Sequence, residues 1–159
     1  MRIAIRAATK RDYDALNQIT DQVDALHREH LPHIFQKPDG PPRDCEYLLG
    51  VLADESYGLF VAEGEGKILG FVQITIRDTP PIPLLVPRRV AAVENLAVRE
   101  DVRRAGIGRA LMRRAQRWAE ELGAAEIELN VYEFNQAAID FYHSLGYATS
   151  SRRMGKRLG

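Results

Sequence analysis

The stretch Val98-Arg99-Glu100-Asp101-Val102-Arg103-Arg104-Ala105-Gly106-Ile107-Gly108-Arg109 decides how this chain is read. It follows an apolar run, about 89–98, that reads as a strand. It opens a helical pattern from Gly106 to Leu122, with Ile107, Leu111, Ala115, Trp118 and Leu122 on one face and Gly123 closing it. At a helix N-terminus several backbone N–H groups lack partners and the helix dipole is positive. Gly106 and Gly108 remove side chains where a ligand must approach the backbone, and Arg103, Arg104 and Arg109 add charge-assisted hydrogen bonds. Such a turn suits a phosphate. It is not a Walker loop, because Gly-Lys-Ser/Thr is missing, nor the dinucleotide fingerprint, which needs a third glycine and an early first strand. On the G-x-G alone, a tight packing turn explains the glycines equally well. Seven arginines lie between Arg99 and Arg117 against only Glu100 and Asp101, which reads either as an anion site or as a solvated helix face.

Outward from this turn the pattern is regular. Residues 2–7 alternate as a short strand. Thr9 and Asp12 have capping-box spacing, and Tyr13, Leu16, Ile19, Val23 and Leu26 follow at helical spacing until Pro32. Asp44 is placed to cap a second helix through about Asp54. Strand patterns at 57–63 and 67–77 flank Gly64-Glu65-Gly66, a hairpin signal. The proline-rich 79–87 cannot be a central strand. After Gly123 come a strand at 125–131, a short helix capped by Asn135 with Ala138, Ile139, Tyr142 and Leu145 inward, Gly146, and room for one last strand from about 147. The order β α α β β β α β α β implies an α/β fold in one domain, 1–159, with a mixed sheet and helices on both faces.

Composition fits that reading. Of 159 residues, 45% are hydrophobic and 28% charged, the balance of a globular protein rather than a disordered or fibrous one. No apolar run reaches the roughly 18 residues of a membrane-spanning helix, and the N-terminus has no secretory-signal pattern. Basic and acidic residues number 22 each, which gives a nucleic-acid partner no support. One cysteine, Cys45, can form no internal disulfide and reads as a small core residue; a cytoplasmic location is expected. His27, His30 and His33 do not complete a metal site, because Pro32 interrupts the helix and no carboxylate cluster joins them.

The run from Val98 to Gly108 resembles the acetyl-CoA motif of the GNAT superfamily of N-acetyltransferases, Arg/Gln-x-x-Gly-x-Gly/Ala after a strand. Asn135-Gln136-Ala137-Ala138-Ile139-Asp140-Phe141-Tyr142-His143-Ser144-Leu145-Gly146-Tyr147 resembles that family's second motif, N-x-x-A-x-x-x-Y-x-x-x-G-F/Y. The two motifs stand in order and at the family's spacing, and the element order matches over essentially the whole chain. The resemblance implies a mostly antiparallel sheet with a central V-shaped splay that holds the pantetheine arm of acetyl-CoA. Leu96 and Val98 then pair with the arm through their backbone. Arg103 and Arg104, with the 104–109 amides (including Gly106, Ile107, Gly108 and Arg109), hold the pyrophosphate. Asn135 either touches the arm or caps the last helix. No metal is implied.

Acetyl transfer to a primary amine requires loss of a proton from an ammonium, support for an oxyanion and protonation of the leaving thiolate. Glu94, with the strand parity of Ala92, Leu96 and Val98, is the expected base. Burial among Val, Ala and Leu would raise its pKa, and the family's Glu-x-x-x-Val pattern places a glutamate here in many small-molecule members. The alternative is a charge paired with Arg88 or Arg89. By resemblance, Tyr142 protonates the thiolate and the Leu96 amide supports the oxyanion. Leu129-Asn130-Val131 stands where the N-terminal acetyltransferases of ribosomal proteins carry Leu-Glu-Val, which disfavours a protein N-terminus as acceptor. The expected acceptor is a small-molecule amine attacked without a covalent enzyme intermediate. A lysine- or N-terminus-modifying enzyme and a non-catalytic acyl-CoA sensor are the alternatives. The first two helices and their connection are expected to line the acceptor site, with 79–87 as a second wall or a homodimer contact.

Overall fold

A computed structural model describes residues 2–103 and 105–159. Five strands form one sheet in sequential order: β1 (Ile3–Ala7), β2 (Tyr57–Gly64), β3 (Lys67–Asp78), β4 (Arg89–Val98) and β5 (Glu126–Leu129). β1 to β4 pair antiparallel and β4 pairs β5 in parallel. The helices are α1 (Tyr13–His30), α2 (Cys45–Ala53), α3 (Ile107–Glu121) and α4 (Gln136–Ser144). Single 3-10 turns at Lys10–Asp12 and Glu100–Val102 lead into α1 and follow β4.

Local chemistry sets these boundaries. Both halves of the Thr9/Asp12 capping box form. Asp44 accepts from the Tyr47 amide at 2.8 Å and starts α2. Glu65 and Gly66, at φ 53° and 75°, make the two-residue turn between β2 and β3. The proline segment lies outside the sheet as expected, closed at its base by Thr79 and Arg88 and exposing Leu84 and Val86.

The sheet separates two cores. On one side Leu16 and Ile19 of α1 and Leu48 and Val51 of α2 meet Leu59, Val61, Phe71 and Ala97. On the other, Ile107, Leu111, Met112, Ala115 and Ala119 of α3 meet Phe60, Ala62, Val72, Ile74, Ala91 and Val93, with Phe141, Tyr142 and Leu145 of α4 packed alongside. β2 and β3, covered on both faces, are apolar without strict alternation.

Three expectations fail on the periphery. Residues 147–159 carry no strand, and Met154 and Leu158 stand exposed there. Cys45 is exposed rather than part of the core, because the buried side of α2 is Leu48 and Val51 and Cys45 begins its first turn. Leu122, just past the end of α3, is 36% exposed instead of continuing the buried face; Met112 and Ala119 fill that face. Among the described residues no helix is long and apolar enough to cross a membrane.

Candidate active site

The splay originates in unequal strand length. β4 has ten residues and β5 four, and their ladder ends at the Val93–Leu129 pair. Beyond it, among the described residues, no strand lies beside the β5-facing edge of β4, residues 94–98. The amide of Arg99 donates to Leu69 O of β3. Amides alternate in direction along an antiparallel strand, so those of Val98 and Leu96 point away from β3, into this opening. Two strand-like donors of β4 thus face this opening.

Glu94 sits where the strand is irregular. Gln73 pairs with Asn95 while Ile74 pairs with Val93, which leaves Glu94 as the extra residue of a β-bulge. The bulge changes the parity read from the sequence. Leu96 and Val98 join Ala91 and Val93 against the α3 core, and Ala97 faces α1 and α2. Glu94 is exposed rather than half-buried among Val, Ala and Leu. Its Oε2 accepts a hydrogen bond from Gln73 Nε2 at 3.2 Å. It pairs with neither suggested arginine: Arg88 reaches Glu126 at 3.5 Å and Arg89 reaches Asp78 at 2.9 Å. Its charge does hold the Tyr57 phenol above the usual tyrosine range. Next to Glu94 a cavity of about 30 Å³ opens between the sheet and the first two helices, lined by Tyr13, Asn17, Arg43, Tyr47, Gln73 and Asn95 over a floor that includes Leu59 and Phe71.

The glycine turn divides its work. Gly106 takes the left-handed conformation at φ 78° and precedes α3 with no side-chain cap, so the amides of the first helical turn face outward without a side-chain acceptor. Gly108 answers to packing: a Cβ there would stand 3.2 Å from Phe141 Cζ of α4. That glycine therefore clears a neighbouring ring, the packing alternative that the G-x-G spacing leaves open. Arg103 donates from Nε to Val98 O at 3.4 Å, and Arg109 from Nη2 to Ser144 Oγ at 3.4 Å. Both are exposed. Arg104 lies outside the described residues. The splayed edge, the uncapped turn and the two cations suit a pantetheine-linked pyrophosphate.

Tyr142 packs its ring against Phe141 and Tyr147 at centroid distances of 5.3 and 5.8 Å. Burial, reinforced by Tyr147, pushes its phenol up to about 12, so it carries its proton throughout the physiological range. Its hydroxyl has no hydrogen-bond partner among the described residues. Asn135 Oδ1 accepts from the Ala138 amide at 3.2 Å, the capping geometry.

Two features were not legible in the sequence. The bulge was missed because β4 shows no glycine or proline to mark it. An aromatic cluster was missed because its members are distant in sequence: His27 sits edge-on to Phe35, Tyr132 and Phe134, and His30 stacks on Phe134 at 4.3 Å. It joins the end of α1 to the loop after β5. His27 and His30 also donate from Nδ1 to the carbonyls of Val23 and Leu26. Among the described residues no group of three or more His, Cys, Asp or Glu side chains is placed to hold a metal ion.

Comparison with known proteins bears on the family and the fold. The family model described as the acetyltransferase (GNAT) family matches residues 20–147. An N-alpha-acetyltransferase of Sulfurisphaera tokodaii is 33% identical over 80% of this chain and 73% of its own length. An uncharacterized N-acetyltransferase of Methanocaldococcus jannaschii is 36% identical over 64% of this chain, and the match spans 43% of that relative's length. A tetramutant of the BH1408 protein from Bacillus halodurans superimposes with a TM-score of 0.93 at 29% identity, covering 98% of this chain and 99% of that one.

Proposed function

The chain belongs to the acetyltransferase (GNAT) family, and from that premise we propose that it transfers the acetyl group of acetyl-CoA to a primary amine of a small molecule. The observation that carries the proposal is the bulge at Glu94, which sets an exposed carboxylate, in no ion pair among the described residues, between the splayed edge of β4 and the cavity under α1 and α2.

Bound acetyl-CoA supplies an already activated thioester, so no covalent enzyme intermediate is needed. The chain's own residues divide the remaining work. The Leu96 and Val98 amides take the pantetheine arm as a neighbouring strand would. Arg103, Arg104 and Arg109 and the amides from Gly106, Ile107 and Gly108 onward hold the pyrophosphate. Asn135 keeps α4 in register by capping it, and α4 carries Tyr142. Glu94 takes the proton from the acceptor ammonium at a carboxylate oxygen, directly or through a water. The Leu96 amide donates to the oxygen on which negative charge develops; losing such a donor costs ~3 kcal/mol in hydrolases. Tyr142, which carries its phenolic proton at physiological pH, delivers that proton to the departing sulfur.

Asn130 in place of glutamate favours a small amine. A protein N-terminus is the second reading, favoured by the likeness to the Sulfurisphaera enzyme. An aminoglycoside N(6')-acetyltransferase of Klebsiella aerogenes, 29% identical over 69% of this chain, stands on the small-molecule side. Release of CoA thiol from acetyl-CoA, measured with sisomicin, spermidine and a peptide with a free N-terminus as acceptors, separates the readings. Turnover with a small amine supports the proposal. Turnover with the peptide alone refutes it, and binding of acetyl-CoA with no turnover on any acceptor makes the chain a sensor.

A further inference from the structure

Gln73 is a polar side chain on a central strand, 4% exposed, with Val72 and Ile74 fully buried beside it. A glutamine is costly in such a place unless its amide is hydrogen-bonded. Its nitrogen is used twice: Nε2 donates to Tyr47 Oη at 2.9 Å and to Glu94 Oε2 at 3.2 Å. An ionised carboxylate only accepts, so the Gln73 atom that faces Glu94 is the nitrogen, and its two hydrogens match the two acceptors. Tyr47 comes from α2, Gln73 from β3 and Glu94 from β4, so the chain of contacts ties the helix that walls the cavity to the bulge.

The bulge makes this tie necessary. A residue in regular pairing has its side chain aimed by the pleat, whereas the extra residue of a bulge does not. Glu94 is exposed, and no arginine or lysine among the described residues forms an ion pair with it. Its charge holds the Tyr57 phenol above the usual tyrosine range, and Tyr13, Arg43 and Tyr47 line the cavity beside it. Gln73 is the one described side chain that holds the carboxylate.

We propose that Gln73 is a positioning residue: its amide, braced by Tyr47, engages Oε2 of Glu94 and so presents the remaining oxygen, Oε1, to the acceptor amine at the cavity. This rests on the reading of Glu94 as the base. In the step itself the ammonium N–H bond breaks and an O–H bond forms at Oε1, while Gln73 keeps its protons and Oε2 keeps its hydrogen bond. Tyr47, 42% exposed on the solvent side, is the brace that an acceptor entering the cavity would pass.

Two measurements test it, and the first needs no activity. In the wild type the two Nε2 protons of Gln73 give separate side-chain amide NMR signals, one for each acceptor. Glu94→Gln moves one of them and Tyr47→Phe moves the other. A pair of Gln73 signals unchanged by Glu94→Gln overturns the hold. The second is a double-mutant cycle with the best acceptor among sisomicin, spermidine and the free peptide. Gln73→Leu lowers kcat about tenfold with acetyl-CoA affinity unchanged and has no further effect in a Glu94→Gln background. Equal losses from Gln73→Leu in both backgrounds overturn the positioning role. No turnover with any acceptor defeats the function proposed above, and the NMR arm still judges the hold.

Discussion

Gly108 of α3 faces the ring of Phe141 of α4 so closely that a Cβ would stand 3.2 Å from Phe141 Cζ. The first turn of α3, where the pyrophosphate is proposed to rest, is therefore also the seat of α4, which carries Tyr142. A substitution at Gly108 strikes both functions. Gly108→Ala moves only the flexible ring and is expected to cost about 1 kcal/mol of stability with acetyl-CoA binding retained. Gly108→Glu adds an anion at the turn, and binding should collapse beyond what Gly108→Ala loses. Calorimetry on the two folded variants separates the effects; equal affinities would remove the phosphate from this turn.

Glu94→Gln keeps the side chain's size and its place beside Gln73 and removes the proton acceptor. Turnover should fall by ~10²-fold or more. The loss should be steepest at low pH, where the acceptor amine is most fully protonated. Acetyl-CoA affinity should be unchanged. Wild-type rates from pH 6 to 9 would leave Glu94 without a chemical role.

Most of the architecture was legible because it depends on local signals. The Thr9 and Asp44 caps, the Glu65-Gly66 turn and the prolines of 79–87 each act within a few residues, and each element they bound lies where the pattern put it. The splay was legible only through the family resemblance, since strand pairing depends on where β5 stops. The surroundings of Glu94 differ from the sequence expectation. Alternation over 89–98 assigns it the face of Leu96 and Val98 and a buried setting. A single extra residue reverses the alternation beyond Val93 and leaves the carboxylate exposed. Nothing in a sequence window records Gln73 opposite that bulge, because the pair is long-range. Gly108 was noticed for its motif, but its contact with Phe141 joins residues 33 positions apart.

Arg6 grips Asp12 with two nitrogens, each at 2.9 Å, and reaches Glu63 Oε2 at 3.1 Å. It thereby ties β1 to the start of α1 and to β2. Asp12 is 5% exposed and also accepts from the Thr9 amide. The Arg6 hydrogen bonds, with the Thr9 amide behind them, hold its carboxyl below the ordinary 3.8. A depressed folded pKa gives stability that is present above the unfolded value and lost as pH falls through the folded one. Asp12→Ala should cost about 2 kcal/mol at pH 7, by stripping the cap and leaving Arg6 half-paired. In urea titrations the wild type should approach the variant only below pH 4. A constant gap between them from pH 7 to pH 2 would disprove the ionic origin.

Tyr142 offers two independent readouts. Tyr142→Phe preserves the ring contacts with Phe141 and Tyr147 and deletes a hydroxyl with no partner among the described residues, so the fold and acetyl-CoA affinity should persist. General-acid help is worth ~10²–10⁴ in rate, and a thiol acidic enough to leave partly unaided places the expected loss at the low end. The loss should shrink with a thioester whose leaving group is more acidic. The second readout is stability in alkali. A phenol held at about 12 in the fold against 10.0 when exposed binds its proton more tightly in the native state. Its contribution is whole below pH 10 and is lost as pH rises towards 12, up to about 2 kcal/mol across that window. Tyr147, also raised by burial, adds to the same decline. Tyr142→Phe should flatten the fall in stability between pH 10 and 12 while lowering turnover at pH 8. If turnover is unchanged under conditions where chemistry limits the rate, the hydroxyl is not the acid. If instead the alkaline decline keeps its full slope, the phenol is not buried as described.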